Sequence, residues 1–244
     1  MIAAQAAPVT YCYRVCGLDI MTPLELRSGA PQVSGENGAD VHIARMAVPE
    51  SLPDAGFRGP TWETSTSDIL LRIPSIARLL MHEGREISYE MSPGASDSLL
   101  PLFLTGSALG AILHQRGEYV LHASAIAVDG GAMIFCGQSG AGKSSLVAAL
   151  CAAGHPLLAD DVCRVQFGRR GPMVIPDGRR LKLWRDTIAH LGLDAFRREQ
   201  IRDGIEKYWV EPPAVADEAL PLRGVFFLRA GDAYSLQRAS LVQA

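Results

Sequence analysis

The sequence predicts a mixed α/β protein: a strand, glycine-rich loop and helix organise its second half, and a β-rich region precedes them. Three observations carry this reading. An apolar strand, Ala132 to Cys136, runs into Gly137-Gln-Ser-Gly-Ala-Gly-Lys-Ser144. Lys143 to Ala153 then follows a helical pattern stopped by Gly154. Before residue 97 the chain alternates apolar and polar residues in short runs separated by turn-forming residues.

In chain order, Tyr11 to Ile20 and Val41 to Val48 read as strands, with a loop by composition at residues 28–38 between them. Ile69 to Met91 reads as a hairpin turning at His82-Glu-Gly-Arg85. From Asp97 the apolar residues Leu99, Leu102, Phe103, Leu109 and Leu113 recur at helical spacing behind a candidate N-cap, so a boundary is expected there. The expected division is a β-rich region over 1–96 and a larger α/β domain over 97–244. Tyr119 to Val128 is expected as one strand, Asp129-Gly-Gly131 as a tight turn and Pro156 to Ala159 as a buried strand. A second hairpin (Val162 to Phe167 with Met173 to Ile175), a short helix at Trp184 to Leu191 and a strand at Leu222 to Leu228 follow. Tyr234 to Arg238 resembles a last strand, and the chain stops soon after, where a shortened C-terminus is one reading.

Composition narrows the function classes. The chain has 244 residues, 48% hydrophobic, and a net charge of −3. That balance argues against a nucleic-acid partner, which needs clustered Lys and Arg. Met1 to Val9 has no basic flank of a signal peptide, and no uncharged apolar run of membrane-spanning length is expected. Cys12, Cys16, Cys136, Cys151 and Cys163 show no paired spacing and read as reduced thiols of a cytoplasmic protein. Lysine is rare: Lys143, Lys182 and Lys207 stand alone among arginines, so each is a candidate for work that suits a compact point charge.

Gly137-Gln138-Ser139-Gly140-Ala141-Gly142-Lys143-Ser144 satisfies G-x-x-x-x-G-K-[ST] at every fixed position, and Ser145 follows it on the helix. A phosphate-wrapping loop must turn successive N–H groups inward, which glycine does cheaply, and the next helix aims its dipole at the same anion. The expected ligand is ATP, with Lys143 reaching the terminal phosphates and Ser144 holding Mg²⁺. Asp160 and Asp161 end the following strand, where both acids can turn toward that site. One acid is then expected to hold metal or water and the other to take a proton from a hydroxyl. His122 lies on the expected strand before the loop strand.

Leu121-His122, the glycine-rich loop and Gly154-His-Pro-Leu-Leu-Ala-Asp-Asp161 together resemble the catalytic domain of the HPr kinase/phosphorylases. Residues 175–184, the Glu206-Lys-Tyr-Trp209 segment and residues 108–117 look more like the divergent members associated with lasso-peptide biosynthesis. The resemblance implies a fold of the HPr kinase and phosphoenolpyruvate carboxykinase type. It also implies that Asp160 is the general base, Asp161 assists at the metal or hydroxyl, and His122 stands beside the moving phosphoryl group. The implied acceptor is a serine of a peptide or small protein, most specifically the C-terminal serine of a lasso-type precursor. Lys182 and Lys207 are candidate acceptor or phosphate contacts, and relatives that form rings make a homo-oligomer a possibility. Ala123 and Ser145 depart from the glycine and glutamate of members that act on HPr, so phosphorolysis is not implied. A small-molecule kinase and an ATP-binding sensor remain alternative readings.

Overall fold

The computed structural model describes residues 10–26, 32–34, 38–178, 180–202, 204–233 and 235–239. Its strands form three sheets, joined by three principal helical segments.

The N-terminal sheet has eight strands: β1 (Tyr11–Val15), β2 (Leu18–Thr22), β3 (Val41–Arg45), β4 (Phe57–Arg58), β5 (Trp62–Thr64), β6 (Asp68–Ile73), β7 (Ala77–His82) and β8 (Glu86–Met91). Their order is β1-β2-β3-β8-β7-β6-β5-β4. The single strand expected from Tyr11 to Ile20 is two strands, because Cys16 and Gly17 both take positive φ (51° and 73°) and reverse the chain. The expected hairpin at Ile69 to Met91 is a three-strand meander, turning also at residues 74–76. Of the expected loop at 28–38, residues 28–31 and 35–37 lie outside the described residues.

One face of this sheet is covered by the helical segment Asp97–Gln115, whose Leu100, Leu104, Leu109, Ile112 and Leu113 are at most 1% exposed. They share a core with Val15, Ile20, Leu79 and Ile87, so apolar packing runs across residue 97. The segment corrects the expectation about apolar runs: by length and composition it could cross a membrane. In this fold its apolar stripe is used against the sheet. Its middle, Leu104–Ala108, is wound as π-helix.

The second sheet has seven strands: β9 (Tyr119–Leu121), β10 (Ala123–Val128), β11 (Gly131–Cys136), β12 (Leu157–Asp160), β13 (Cys163–Gly168), β14 (Gly171–Ile175) and β18 (Leu220–Phe227). The order is β12-β10-β11-β18-β14-β13-β9, with β11 and β18 parallel. The helix Lys143–Ala152 packs against it through Val147, Ala148 and Cys151. A third sheet, β15 (Leu181–Trp184), β17 (Ile205–Val210) and β16 (Arg197–Arg202), closes over that helix with Leu181, Leu183 and Val210. The short helix Arg185–His190 follows β15. Residues 235–238 form no strand, and Tyr234 lies outside the described residues. No disulfide joins the five cysteines, and burial raises the Cys151 thiol to about 12.

Candidate active site

The glycine-rich loop emerges from β11 and ends at Gly142, whose φ of +88° turns the chain into the helix. Gln138, Ser139 and Gly140 are exposed at its crest, while Lys143 is only 7% exposed. The Lys143 Nζ folds back over the loop and donates to Gly137 O at 2.8 Å and Gln138 O at 3.1 Å. Ser144, in the first turn, donates its hydroxyl to Asp160 Oδ1 at 2.9 Å. Ser145 lies beside it, on a shallow cavity shared with Asp186, Thr187 and His190.

Two adjacent acids face different ways. Asp160 is the last residue of β12 and pairs across the ladder with Ser124, whose hydroxyl donates to Oδ1 at 2.7 Å. Its Oδ2 accepts the Lys182 backbone amide at 3.2 Å, and the residue is 2% exposed. Asp161 adds one more ladder bond, from its amide to Ala123 O at 3.0 Å, and then takes φ of +84°. For an aspartate this is an uncommon conformation, and it swings the carboxylate away from the loop. Asp161 Oδ2 pairs with Lys182 Nζ, while Oδ1 is 3.0 Å from His122 Nδ1.

His122 reaches that position because the strand expected from Tyr119 to Val128 breaks there. β9 pairs with β13, β10 pairs with β11 and β12, and His122 sits at the bend between them. The structure thus places Asp160 with Ser144 and the loop, and Asp161 with His122 and Lys182. The Ser144–Asp161 pairing expected for a metal is replaced by Ser144–Asp160, since β12 ends one residue before Asp161 and the positive φ follows.

Lys182 and Lys207 join the site through the third sheet. Register pairs Lys182 with Trp209 and Trp184 with Lys207, so all four side chains share one face in a checkerboard. Each ammonium lies 5.7 Å from the centroid of the opposite indole. Burial first, and the nearby Lys182 charge second, hold Lys207 below the usual lysine value.

Between this face and the segment Asp97–Gln115 lies a cavity of about 710 Å³. Asp161 and His122 stand in its floor, Lys182 and Lys207 in one wall, and Phe103, Gly106 and Gly110 in the other. The π-turn places Gly106 and Ser107 on this wall; nothing in the sequence pattern marked that segment or β16 as part of a site. Among the described residues, no group of three or more His, Cys, Asp or Glu side chains is arranged to hold a metal ion. The oxygens of Ser144 and Asp160 are nonetheless hard donors of the kind Mg²⁺ takes beside phosphate and water. A Cβ at Gly140 or Gly142 would meet nothing within 4 Å, so the loop leaves open space there.

Comparison with known proteins finds relatives for part of the chain. Over 101 residues the chain is 42% identical to an HPr kinase/phosphorylase of Azoarcus sp. (strain BH72), covering 38% of this chain and 31% of that protein. It is similar to HPr kinase/phosphorylases there. A second, from Aromatoleum aromaticum (strain DSM 19018 / LMG 30748 / EbN1), is 34% identical over 103 residues, covering 38% of this chain and 32% of its own length. The match therefore spans about a third of these relatives. No protein-family model matches the chain. Among solved structures, the Hpr(Ser) kinase/phosphatase from Coxiella burnetii aligns with a TM-score of 0.24 and 23% identity, over 38% of this chain and 61% of that one.

Proposed function

We propose that this chain is an ATP-dependent kinase that moves the γ-phosphoryl group onto a serine hydroxyl of a peptide or small protein. The observation that carries the reading is the opposed orientation of the two acids. Asp160 faces the loop through Ser144, and Asp161 faces the cavity through which an acceptor would enter. The similarity to HPr kinase/phosphorylases supports the same class of chemistry.

The loop amides and Lys143 bind and orient the triphosphate, with Lys143 exchanging Gly137 O and Gln138 O for phosphate oxygens. Ser144 and Asp160 would hold Mg²⁺, which when bound neutralises charge on the phosphate oxygens. In this geometry the base is Asp161 rather than Asp160, whose carboxylate is turned into the loop. Asp161 accepts the proton of the serine hydroxyl, the new O–P bond forms, and the bond from the γ-phosphorus to ADP breaks. His122 and Lys182 hold Asp161 in place for that transfer. The Lys182 and Lys207 wall suits an acceptor with an anionic group close to its serine. The finer reading is accordingly the C-terminal serine of a lasso-type precursor, whose carboxylate would meet those cations.

The test is mass spectrometry after incubation with Mg²⁺ and ATP of three acceptors: a peptide ending in serine, the same peptide amidated, and an HPr-type protein. Added phosphate on the free-acid peptide supports the full reading. Phosphate on the other acceptors alone would keep the kinase and discard the C-terminal serine. Intact ATP with all three acceptors, and with free hydroxyl metabolites added as a further arm, would discard the kinase.

A further inference from the structure

Asp177 is 1% exposed, and the chemistry above gives it no part. It lies just beyond β14, outside any regular element, and both its backbone and its side chain hold the strand that ends at Asp160. Its Oδ2 accepts the Asp160 amide at 2.8 Å, and its own amide donates to Leu158 O at 3.0 Å. Behind it sits the β1–β2 turn of the N-terminal sheet. The Cys16 amide donates to Asp177 O at 3.4 Å, and Cys16 Sγ is 3.8 Å from Val162 O. Cys16 O accepts from Arg164 Nη1 at 2.8 Å, while Arg164 Nη2 bonds Glu118 at 2.6 Å. The seat is tight: a Cβ at Gly17 would stand 2.9 Å from Ile175 Cγ2, at a φ of +73° that side chains resist.

We propose that Asp177, backed by the Cys16–Gly17 turn, is the positioning residue for the acid pair. A buried N–H left without an acceptor is costly, and this side chain supplies the acceptor at the residue where the chain divides its two acids. A shift of that amide would move Asp160 off Ser144 and Asp161 off the cavity together. Misplacement on the order of 1 Å is enough to cost a large factor in rate. The proposal rests on the kinase reading and adds a role for the N-terminal β-rich region: it supplies geometry to the site without a reacting group.

The experiment compares full-length Asp177→Ala, Asp177→Asn and Gly17→Ala with the wild type. It reads kcat and KM for phosphate transfer and hydrogen–deuterium exchange over residues 157–162. Asp177→Ala should lower kcat by about 30-fold with the KM for ATP within about 3-fold, as loss of orientation predicts. Exchange over 157–162 should quicken by about 10-fold or more as the amide loses its acceptor. Asp177→Asn, whose amide oxygen still accepts the Asp160 N–H, should recover kcat to within about 5-fold of wild type. Gly17→Ala should quicken exchange over the same segment and lower kcat, with ATP affinity kept. Wild-type kcat and exchange in Asp177→Ala, or equal losses in the Asn and Ala variants, would overturn the brace. If Asp177→Ala does not fold, unaltered exchange over 157–162 in Gly17→Ala overturns it. A wild type that transfers no phosphate would sink the kinase reading alone, and exchange would still decide the brace.

Discussion

Glu63 in the N-terminal sheet and Asp160 in the seven-stranded sheet are both buried carboxylates, 5% and 2% exposed, yet they are satisfied by different chemistry. Burial works to raise the Glu63 pKa, but the Leu52 amide, Arg72, Ser51 and Arg58 together outweigh it and hold Glu63 at about 2. Arg58 stands 2.6 Å from one carboxylate oxygen, and Arg72 binds the other. Asp160 instead accepts from the Ser124 and Ser144 hydroxyls and from the Lys182 amide. Glu63 also accepts from a serine, Ser51, but a guanidinium, which can only donate, holds each of its oxygens, so the cluster is a finished tie. Serine hydroxyls rotate and can accept as well as donate, so the Asp160 shell can rearrange around a cation. Similar burial thus goes with a fixed tie in one sheet and, on the proposed function, with a shell able to rearrange in the other.

The largest effect should come from the loop itself: Lys143→Ala is expected to reduce transfer by about 1,000-fold or more, measured as phosphopeptide formed per unit time. The acid pair sharpens the comparison next. Asp161→Asn should cost roughly 10²–10⁴ in kcat while calorimetry shows ATP affinity with Mg²⁺ nearly unchanged. Asp160→Asn should weaken that affinity as well. Equal binding losses in both variants would erase the division of labour drawn here.

Smaller effects follow on the cationic wall. Lys207→Gln should raise the acceptor KM about 10-fold with kcat held, as removal of uniform binding does. Because burial and Lys182 depress the Lys207 pKa, binding of an anionic acceptor should weaken as pH rises through a value below the ordinary 10.5. A binding profile flat across the alkaline range would remove Lys207 from acceptor contact.

Glu63→Gln should leave kcat and KM unchanged at permissive temperature while lowering Tm by about 5 °C. The sign follows from the depressed pKa. Stability supplied by ionised Glu63 is present above its ordinary value of 4.5 and is lost as pH falls toward about 2. The variant should therefore show a shallower loss of stability across that interval in acid titrations. If Glu63→Gln instead changed transfer at neutral pH, the contrast between tie and site would fail.

Motifs made of consecutive residues were legible, and so was most of the strand pattern around them. The glycine-rich loop, the acids at a strand end and the helix Lys143–Ala152 all follow from local spacing. Alternation in Leu181-Lys-Leu-Trp184 was also available as a strand signal, with Leu181 and Leu183 toward the core and Lys182 and Trp184 on the opposite face. Less legible was the bend at His122. A run from Tyr119 to Val128 without glycine or proline suggests one strand, and only the competition between β12 and β13 for partners divides it.

From sequence alone this chain was determined to carry an α/β core with a glycine-rich loop between a strand and a helix, because glycine conformations and hydrophobic period act within a few residues. Tertiary structure decided which acid faces which chamber. That choice depends on a positive φ at Asp161, on Lys182 arriving from another sheet, and on Cys16 and Asp177 meeting behind the strand. Contacts between residues more than a hundred positions apart are set by how sheets pack, and no local pattern encodes them.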